Sequence, residues 1–433
     1  MSGVVGFVED LDTSTRRAKL RLLACVREAH IDNIPCLQSL LSYLAEHGFE
    51  VEVLCTQDPR WLRPTDQQPE ITYRVVTQRV SFLGRSFRVP VTVALLAEGL
   101  ARCRGPRRPD IVLSCGALGG IAAWMLAKLL RVRRIYQMLE LPVVDAKVIR
   151  NSMPAIPNSR NDDQQVGGDR SQRRPRPWSQ RLIDAADRHA LRTADVVIAH
   201  DTYRADFSSR ALQVPATRFE LLPNAPRGRG PGHKTRWLAE KLGIPSDYRI
   251  ALHFGGMSPH FDLLRLVAGV EAWPRRWCLV IHTSFRAEGE EYFEKVRGLA
   301  GGKPVFFSLD PVPSSTADEL VASADVGLAT YSLELLGYRA TLMGLASGKI
   351  ARYLRCGLPV VASDLPTVRK YLERYDCGYC AGDPAGFGAL LPLISDRYNE
   401  LSRNASRCFK ELFAPDAYCR KIAERLAAMQ GHH

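Results

Sequence analysis

The chain has 433 residues, of which 46% are hydrophobic and 24% are charged, so it can form two or three domains with sizeable cores and is not disordered as a whole. Its 59 Lys and Arg residues outnumber its 46 Asp and Glu residues, which gives a net charge of +13. Because the excess is spread along the chain, it favours general attraction to nucleotide phosphates or an anionic membrane surface over a dedicated nucleic-acid-binding module.

Cysteine usage and apolar stretches indicate the compartment. The eleven cysteines have no regular spacing, and no basic stretch followed by an apolar one begins the chain. The length excludes a small disulfide-rich scaffold, and the N-terminal composition excludes a secretory signal. The longest uncharged stretch, 111–127, contains glycines and is short for a membrane span. We therefore expect a cytoplasmic protein, soluble or bound peripherally at the inner face of the membrane.

Strands and helices alternate along the first half of the chain. Leu37, Leu40, Leu41 and Leu44 recur at helical spacing within 34–47, and Gly48 follows where a helix commonly ends. Short apolar runs are predicted to be strands at 19–26, 50–56, 110–114, 134–139, 194–200 and 219–222.

The second half repeats the alternation, with predicted strands at 250–254, 277–283, 304–308, 325–330 and 358–363. Strands that alternate with helices form parallel sheets of βαβ units. Two successive α/β runs therefore predict two Rossmann-like domains.

The least apolar stretches suggest where these domains begin and end. Residues 1–18 are predicted to be a flexible leader, 19–224 the N-terminal domain, 225–235 a linker rich in Pro, Gly and Arg, and 236–412 the C-terminal domain. Within the first domain, residues of about 151–179 include almost no core-forming side chains and are predicted to form a long mobile loop.

The most informative segment is 346–364, ASGKIARYLRCGLPVVASD. Ser347 is a good N-cap residue, and the apolar spacing that follows predicts a helix that Gly357 ends. A helix N-terminus favours anions, Gly348 lets a ligand approach the backbone, and Lys349 adds a positive charge. The segment is either a cradle for a diphosphate or a capped surface helix with a solvated lysine.

A second candidate is the pair Gly255–Gly256, which follows a predicted strand and precedes a helix. Such a turn lets the backbone approach a phosphate or a sugar, although glycine pairs also serve as plain turns. The signatures of P-loop NTPases, zincins and α/β-hydrolases are absent from the sequence.

Taken together, these segments resemble the GT-B glycosyltransferases, in particular the retaining group called family 4 or group 1. The resemblance rests on Gly357–Ala362 (GLPVVA), on LVASADV before and within the 325–330 strand, and on RTADVVIAH and LPN in the first half. It covers about residues 19–430. It implies the GT-B fold, two Rossmann-like domains facing a central cleft, with a C-terminal helix in 413–433 packed back on the N-terminal domain.

The resemblance also implies roles for particular residues. The donor of that family, a nucleotide diphosphate-sugar, lies between the domains and mostly on the second one. Carried over, the loop 308–312 would approach the base, and Tyr331 and Ser332 would face the sugar. The donor-binding residues are then Gly255, Gly256, Asp310, Tyr331, Ser347, Gly348, Lys349 and Arg352. On the acceptor side we expect His30 and Glu140 as catalytic candidates and Asp32 and Asn33 as acceptor-binding residues, with a plain loop histidine as the alternative for His30.

Two departures from the family are evident. Members commonly have two glutamates separated by seven residues, the second of which contacts the nucleotide ribose; here those places hold Gly344 and Arg352. The basic residue common after the first glycine of the second domain is also missing, because Gly255–Gly256 is followed by MSPHF.

The sequence thus predicts a metal-independent, retaining hexosyl- or N-acetylhexosaminyltransferase without a cofactor. It would use a nucleotide sugar as co-substrate and a saccharide or lipid-linked saccharide as acceptor, in envelope or capsular polysaccharide or glycolipid synthesis. The apolar and basic region 91–108 would suit contact with an anionic membrane, and no nucleic-acid partner is expected. The alternatives are a catalytically silent GT-B protein that binds a partner, favoured by the missing glutamates, and a GT-B sugar-nucleotide epimerase.

Overall fold

A computed structural model describes residues 19–28, 34–56, 69–82, 85–103, 108–156, 177–283, 289–310 and 312–429. Within them the chain forms two parallel β-sheets, one from each half, and a small antiparallel hairpin. This confirms the α/β architecture predicted from the alternation of strands and helices. The predicted leader and residues 157–176 of the predicted mobile loop lie outside the described residues.

The first half contributes nine strands within the described residues. They are β1 (Leu20–Glu28), β2 (Phe49–Thr56), β3 (Ile71–Val76), β4 (Arg79–Phe82), β5 (Arg85–Arg88), β6 (Ile111–Cys115), β7 (Arg133–Gln137), β8 (Val196–Ala199) and β9 (Phe219–Leu221). The first sheet has the order β3-β2-β1-β6-β7-β8-β9 with parallel neighbours, and β4 and β5 form the hairpin.

Six helices accompany this sheet in the described part of the chain. They are α1 (Pro35–Glu46), α2 (Val91–Arg102), α3 (Gly116–Leu130), α4 (Ala146–Ser152), α5 (Trp178–Arg192) and α6 (Thr202–Leu212). The predicted leucines of α1 are fully buried against the strands, which confirms that helix and its apolar face. Sequence reasoning missed β3, an edge strand that is largely exposed and whose apolar residues are interrupted by Thr72 and Arg74.

The second half contributes six strands, β10 (Arg249–Phe254), β11 (Trp277–His282), β12 (Val305–Ser308), β13 (Val326–Ala329), β14 (Val360–Ser363) and β15 (Gly378–Ala381). They form a parallel sheet in the order β12-β11-β10-β13-β14-β15. Buried aliphatic side chains at almost every position explain why β10, β11, β13 and β14 were predictable. The glycine-containing edge strand β15 was not predicted.

The helices of the second half follow in chain order. They are α7 (Trp237–Leu242), α8 (Leu263–Gly269), α9 (Glu291–Ala300), α10 (Ser314–Ala322), α11 (Leu333–Leu336), α12 (Tyr338–Thr341), α13 (Gly348–Arg355), α14 (Pro366–Tyr375), α15 (Leu391–Asp396), α16 (Tyr398–Cys408) and α17 (Asp416–Ala428). No helix in the described ranges is both long enough and apolar enough to cross a membrane.

Two segments of the second half pack onto the first. Helix α17 buries Cys419, Ile422 and Leu426 in the core around β1 and α1. Tyr338 of α12 and the following Leu342 lie in the core that covers β7 and β8. These contacts hold the two sheets side by side, so that the carboxyl ends of their strands border one cavity.

Candidate functional site

A cavity of about 660 Å³ lies between the two halves of the molecule. Its walls follow the carboxyl ends of strands, which is where parallel α/β sheets bind ligands. Its lysine and arginine lining residues are Arg204, Arg339, Lys349 and Arg352, and Glu140 is the acidic residue of the described lining. Such a surplus of positive charge suits an anionic ligand.

The N-terminus of α13 forms part of the cavity wall. As predicted, Ser347 is the N-cap: its hydroxyl oxygen accepts the Ile350 N–H at 3.3 Å. The Ser347 hydroxyl also pairs with that of Tyr331, which is buried and lines the cavity. A Cβ atom on Gly348 would lie 3.2 Å from the Asn224 side-chain nitrogen, so a larger residue here would press on Asn224. These contacts fix the start of the helix at the cavity.

Tyr353 ties α13 to the sheet behind it. Its hydroxyl accepts the Phe254 N–H at 2.8 Å and lies within 3.2 Å of the Leu252 and Leu328 carbonyl oxygens. The ring occupies the space where a side chain on Gly327 would be, since a Cβ there would come within 2.3 Å of it. The helix is therefore anchored between β10 and β13.

We expect Tyr353→Phe to lower the free energy of unfolding by about 1–3 kcal/mol, because the buried Phe254 N–H would lose its acceptor. Urea unfolding measures this change. The matched control is Tyr371→Phe, since the buried Tyr371 hydroxyl has no hydrogen-bond partner. That variant should be as stable as the wild type or more so, and equal losses in the two variants would contradict the anchoring role of Tyr353.

Lys349 lines the cavity as a partly buried residue whose amine nitrogen is buried, so it is not a solvated surface lysine, which excludes that alternative. Its Nζ atom has no hydrogen-bond partner and lies 3.9 Å from the ring centroid of Phe261 and 5.2 Å from that of Tyr331. Burial lowers the pKa of the Lys349 amine from 10.5 to about 7. The amine thus sits at the N-terminus of α13 with aromatic rings as neighbours and no counter-charge.

The glycine pair lies next to the Lys349 side chain, in the same wall of the cavity. Gly255 adopts a φ of +125°, which a side chain rarely permits. A Cβ on Gly256 would approach the Phe261 ring to 2.5 Å. The neighbouring His253 donates from Nε2 to the Gly256 carbonyl at 3.1 Å, and burial with the nearby Lys349 keeps the pKa of His253 well below its usual value. Both glycines line the cavity, where the backbone is open to a ligand.

Arg352 lines the cavity but is held by an ion pair. Its guanidinium lies 2.9 Å from the Asp318 carboxylate, which also takes Arg355 at 2.5 Å. The same guanidinium stands 5.4 Å over the Phe254 ring, which stacks on His282. Arg352 therefore puts a buried cation on an aromatic surface at the position where the glycosyltransferases that the sequence resembles commonly have a glutamate.

Asp310 is not among the described residues that line the cavity. Its side chain is 78% exposed and pairs with Lys241 of α7 at 2.9 Å. Asp310 nevertheless lies near the cavity, because its charge acts on His282, which lines it. Its donor-binding role stays a prediction.

Gly344 leaves no room for the other family glutamate. Its φ is +41°, and a Cβ there would come within 2.1 Å of an Asp201 carboxylate oxygen. Asp201 itself is buried and accepts the N–H groups of Arg204 and Leu345, both at 2.9 Å. A backbone contact between the two halves therefore fills the place where the first carboxylate would be.

The acceptor side of the cavity contains Glu140, whose side chain is 76% exposed. Its carboxylate lies 4.0 Å from the guanidinium of Arg204, which is buried and donates to the Leu139 carbonyl at 3.0 Å. The other acceptor-side candidates, His30, Asp32 and Asn33, lie outside the described residues.

Sequence reasoning missed three residues that shape the cavity. Phe261 has no motif of its own and follows the glycine pair by five positions. Arg204 lies one turn into α6, where nothing in the sequence marks it as buried. Asn224 lies in the LPN landmark, and its side chain accepts the Cys36 N–H at 3.3 Å and donates to the Ala346 carbonyl at 3.0 Å. Only Asn224 could have been found, because its motif was already identified.

No cluster of three or more His, Cys, Asp or Glu residues among the described residues could hold a metal ion. Metal independence of the reaction stays a prediction.

Comparison with known proteins identifies the architecture. Residues 34–225 match the family model of the glycosyl transferase 4-like domain. Sucrose-phosphate synthase from Thermosynechococcus elongatus superposes with a TM-score of 0.66 at 14% identity, over 96% of this chain and 100% of that one. The chain has the GT-B glycosyltransferase fold. No curated protein sequence matches it.

Two other structures with the GT-B fold extend the comparison. Anabaena Alr3699/HepE, in complex with UDP and glucose, has a TM-score of 0.65 at 14% identity over 94% of this chain and 100% of its own. WaaG, a glycosyltransferase involved in lipopolysaccharide biosynthesis, has a TM-score of 0.61 at 16% identity over 94% and 99%. At these identities the likeness shows the fold.

Proposed function

We propose that this GT-B protein transfers a sugar from a nucleoside diphosphate-sugar to a hydroxyl group of a saccharide or lipid-linked saccharide. The observation that carries the proposal is the Lys349 amine, buried without a counter-charge at the N-terminus of α13 in a cationic cavity between the two sheets. A diphosphate would supply the missing negative charge. The similar HepE structure was determined in complex with UDP and glucose, which supports a nucleotide as the ligand.

The chemistry follows from where charge develops. When the bond between the sugar and the diphosphate breaks, negative charge grows on the leaving oxygen. The helix dipole and the N–H groups at the start of α13 stabilise that charge, and Lys349 adds a cation. The acceptor oxygen forms the new bond to the sugar, and in this proposal Glu140, which lines the same cavity, takes up its proton. Retention of configuration is the outcome that the GT-B family 4 resemblance implies.

For the acceptor we propose an envelope or capsular polysaccharide intermediate or a glycolipid, with a hexose or N-acetylhexosamine as the transferred sugar. The similarity to WaaG, whose role is in lipopolysaccharide biosynthesis, supports this class. Contact with an anionic membrane through α2 is part of the proposal, because Val93 and Leu100 expose apolar side chains there. Its Arg102 is already paired with Glu52 and Glu98, so the attraction would depend on other basic residues.

A second candidate function is nucleotide or partner binding without catalysis. The filled space at Gly344 and the Arg352–Asp318 pair favour it, because both replace carboxylates of active family members. The sugar-nucleotide epimerase alternative would need no acceptor.

Thermal unfolding with UDP, GDP, ADP and CMP, and with their common sugars, tests the proposal first. A ligand that binds only the folded state raises Tm by mass action. We expect one nucleoside diphosphate and its sugar to raise Tm, and acceptor-dependent release of that diphosphate to follow in an activity assay. Binding without release in the presence of saccharide acceptors would favour the silent protein. Conversion of the sugar without an acceptor would favour an epimerase, and no shift with any ligand would contradict the proposal.

A further inference from the structure

The Lys349 amine is buried beside the aromatic side chain of Phe261. Phe261 belongs to the loop between β10 and α8, in a single turn that covers Pro259–Phe261. Its ring lies 3.9 Å from Nζ of Lys349 and packs edge-on against His253 at 5.9 Å. Because Nζ is buried without a hydrogen-bond partner, a phosphate oxygen could reach hydrogen-bonding distance only after the side chains around it, Phe261 among them, rearrange.

The loop that carries Phe261 lies between two residues with positive φ. It begins at Gly255, whose φ is +125°, and ends at Asp262, whose φ is +49°. Between them the Ser332 N–H donates to the His260 carbonyl at 2.9 Å and ties the loop to the neighbouring segment. A Cβ atom on Gly256 would come within 2.5 Å of the Phe261 ring, so the glycine backbone lies against the ring edge.

The groups around the amine come from four parts of the fold. His253 lies near it on β10, Tyr331 after the end of β13 and Phe261 on the loop, while His260 of the loop and Arg352 of its own helix line the same cavity. None of these groups is a carboxylate. His253 is neutral, with Nε2 as the donor to Gly256 and a pKa well below its usual value. An ammonium at this place would be a buried charge with aromatic faces as its only compensation, which is costly.

We propose that Phe261 is a positioning residue that keeps the Lys349 amine covered and uncharged in the empty site, so that binding of a nucleoside diphosphate displaces the ring and takes up about one proton. The proton comes from solvent and goes to Nζ, and no covalent bond changes. The amine pKa of about 7 agrees with an uncharged free state above neutral pH. The inference rests on the proposed nucleoside diphosphate ligand and adds that its binding is linked to protonation.

Calorimetric titration with UDP at about pH 8, in buffers of low and high ionisation enthalpy, measures the protons taken up. We expect nearly one proton per UDP at about pH 8 and almost none at about pH 6, where the free amine is already charged. If UDP does not bind, inorganic pyrophosphate is the probe. If UDP binds and the enthalpy does not depend on the buffer at pH 8, the inference is wrong and the proposed function stands.

Variants separate the ring from the amine. Phe261→Leu should still bind UDP but take up less than half as many protons, because the amine is then open to water in the free protein. Phe261→Tyr keeps the ring and should keep the full uptake. Lys349→Arg should bind UDP without uptake, since a guanidinium stays charged. Full uptake in Phe261→Leu, or uptake in Lys349→Arg, would overturn the assignment, whereas failure of pyrophosphate and of every nucleoside diphosphate in the thermal unfolding series to bind the wild type would contradict the proposed function itself.

Discussion

Lys349→Met should weaken UDP binding by about 10- to 100-fold and leave the free protein at least as stable as the wild type. The loss of affinity follows because a hydrogen bond from a cation to a diphosphate contributes about 1.5–3 kcal/mol. The gain or retention of stability follows because methionine fills a similar volume among Phe261 and Tyr331 without a buried amine to desolvate. A residue that serves the fold would lose stability when replaced, so opposite signs indicate a residue kept for its ligand.

The two effects are measured on the same variant, by calorimetric titration with UDP and by thermal unfolding without ligand. Lys295→Met is the matched control, because Lys295 is exposed on α9 and pairs only with Glu291 one turn away. It should change neither UDP affinity nor Tm. A Lys349→Met protein that binds UDP as tightly as the wild type would show that the start of α13 does not hold a diphosphate.

The pH dependence of stability gives a further check on Lys349. Because its pKa falls from 10.5 to about 7 on folding, the unfolded chain binds more protons than the folded one between these values. The free energy of unfolding of the wild type should therefore include an increment that rises with pH across this window and is flat below it. Lys349→Met should lack that increment, which parallel urea unfolding series at several pH values would reveal. An identical pH profile in the two proteins would mean that the folded amine keeps its ordinary pKa.

The strands and the start of α13 were predictable because their signals are local. Buried parallel strands such as β10 and β14 consist of consecutive apolar residues, and Ser347 caps its helix through a hydrogen bond three residues along the chain. The landmarks of the GT-B resemblance depend on the same short stretches. Edge strands such as β3 and β15 lack an uninterrupted run of aliphatic residues, and sequence reasoning missed them.

The electrostatics of the site were not predictable, because they depend on residues distant in sequence. The Lys349 amine is buried beside the ring of Phe261, which lies 88 positions earlier in the chain. Nothing in the Ser347–Gly348–Lys349 motif predicts that contact. Asp310 and Asp318 are the same residue type eight positions apart. The side chain of Asp310 is exposed beside Lys241, whereas that of Asp318 is buried between Arg352 and Arg355. A pattern of residue types predicts which groups are available, whereas their burial decides what they can do.

Asp318→Asn tests this distinction and should lower the free energy of unfolding by about 3–5 kcal/mol, because it removes the buried carboxylate that pairs with the guanidinium groups of both Arg352 and Arg355. Urea unfolding of the whole chain, followed by tryptophan fluorescence, measures the loss. The same substitution at Asp310, in its exposed ion pair with Lys241, should change the stability by less than about 1 kcal/mol.

A double variant distinguishes charge from shape. Adding Arg352→Met to Asp318→Asn removes one of the two cations with which Asp318 pairs in the wild type, so part of the lost stability should return. If the loss instead came from poorer packing, the second substitution would lower the stability further. Arg355 keeps partners in the double variant, since it also donates to the Gly228 and Arg229 carbonyls at 3.3 and 3.1 Å. Recovery would mean that Asp318 is retained to hold Arg352 in the cavity wall, where active family members have a carboxylate. A further loss in the double variant would instead assign Asp318 to the packing of α10 against α13.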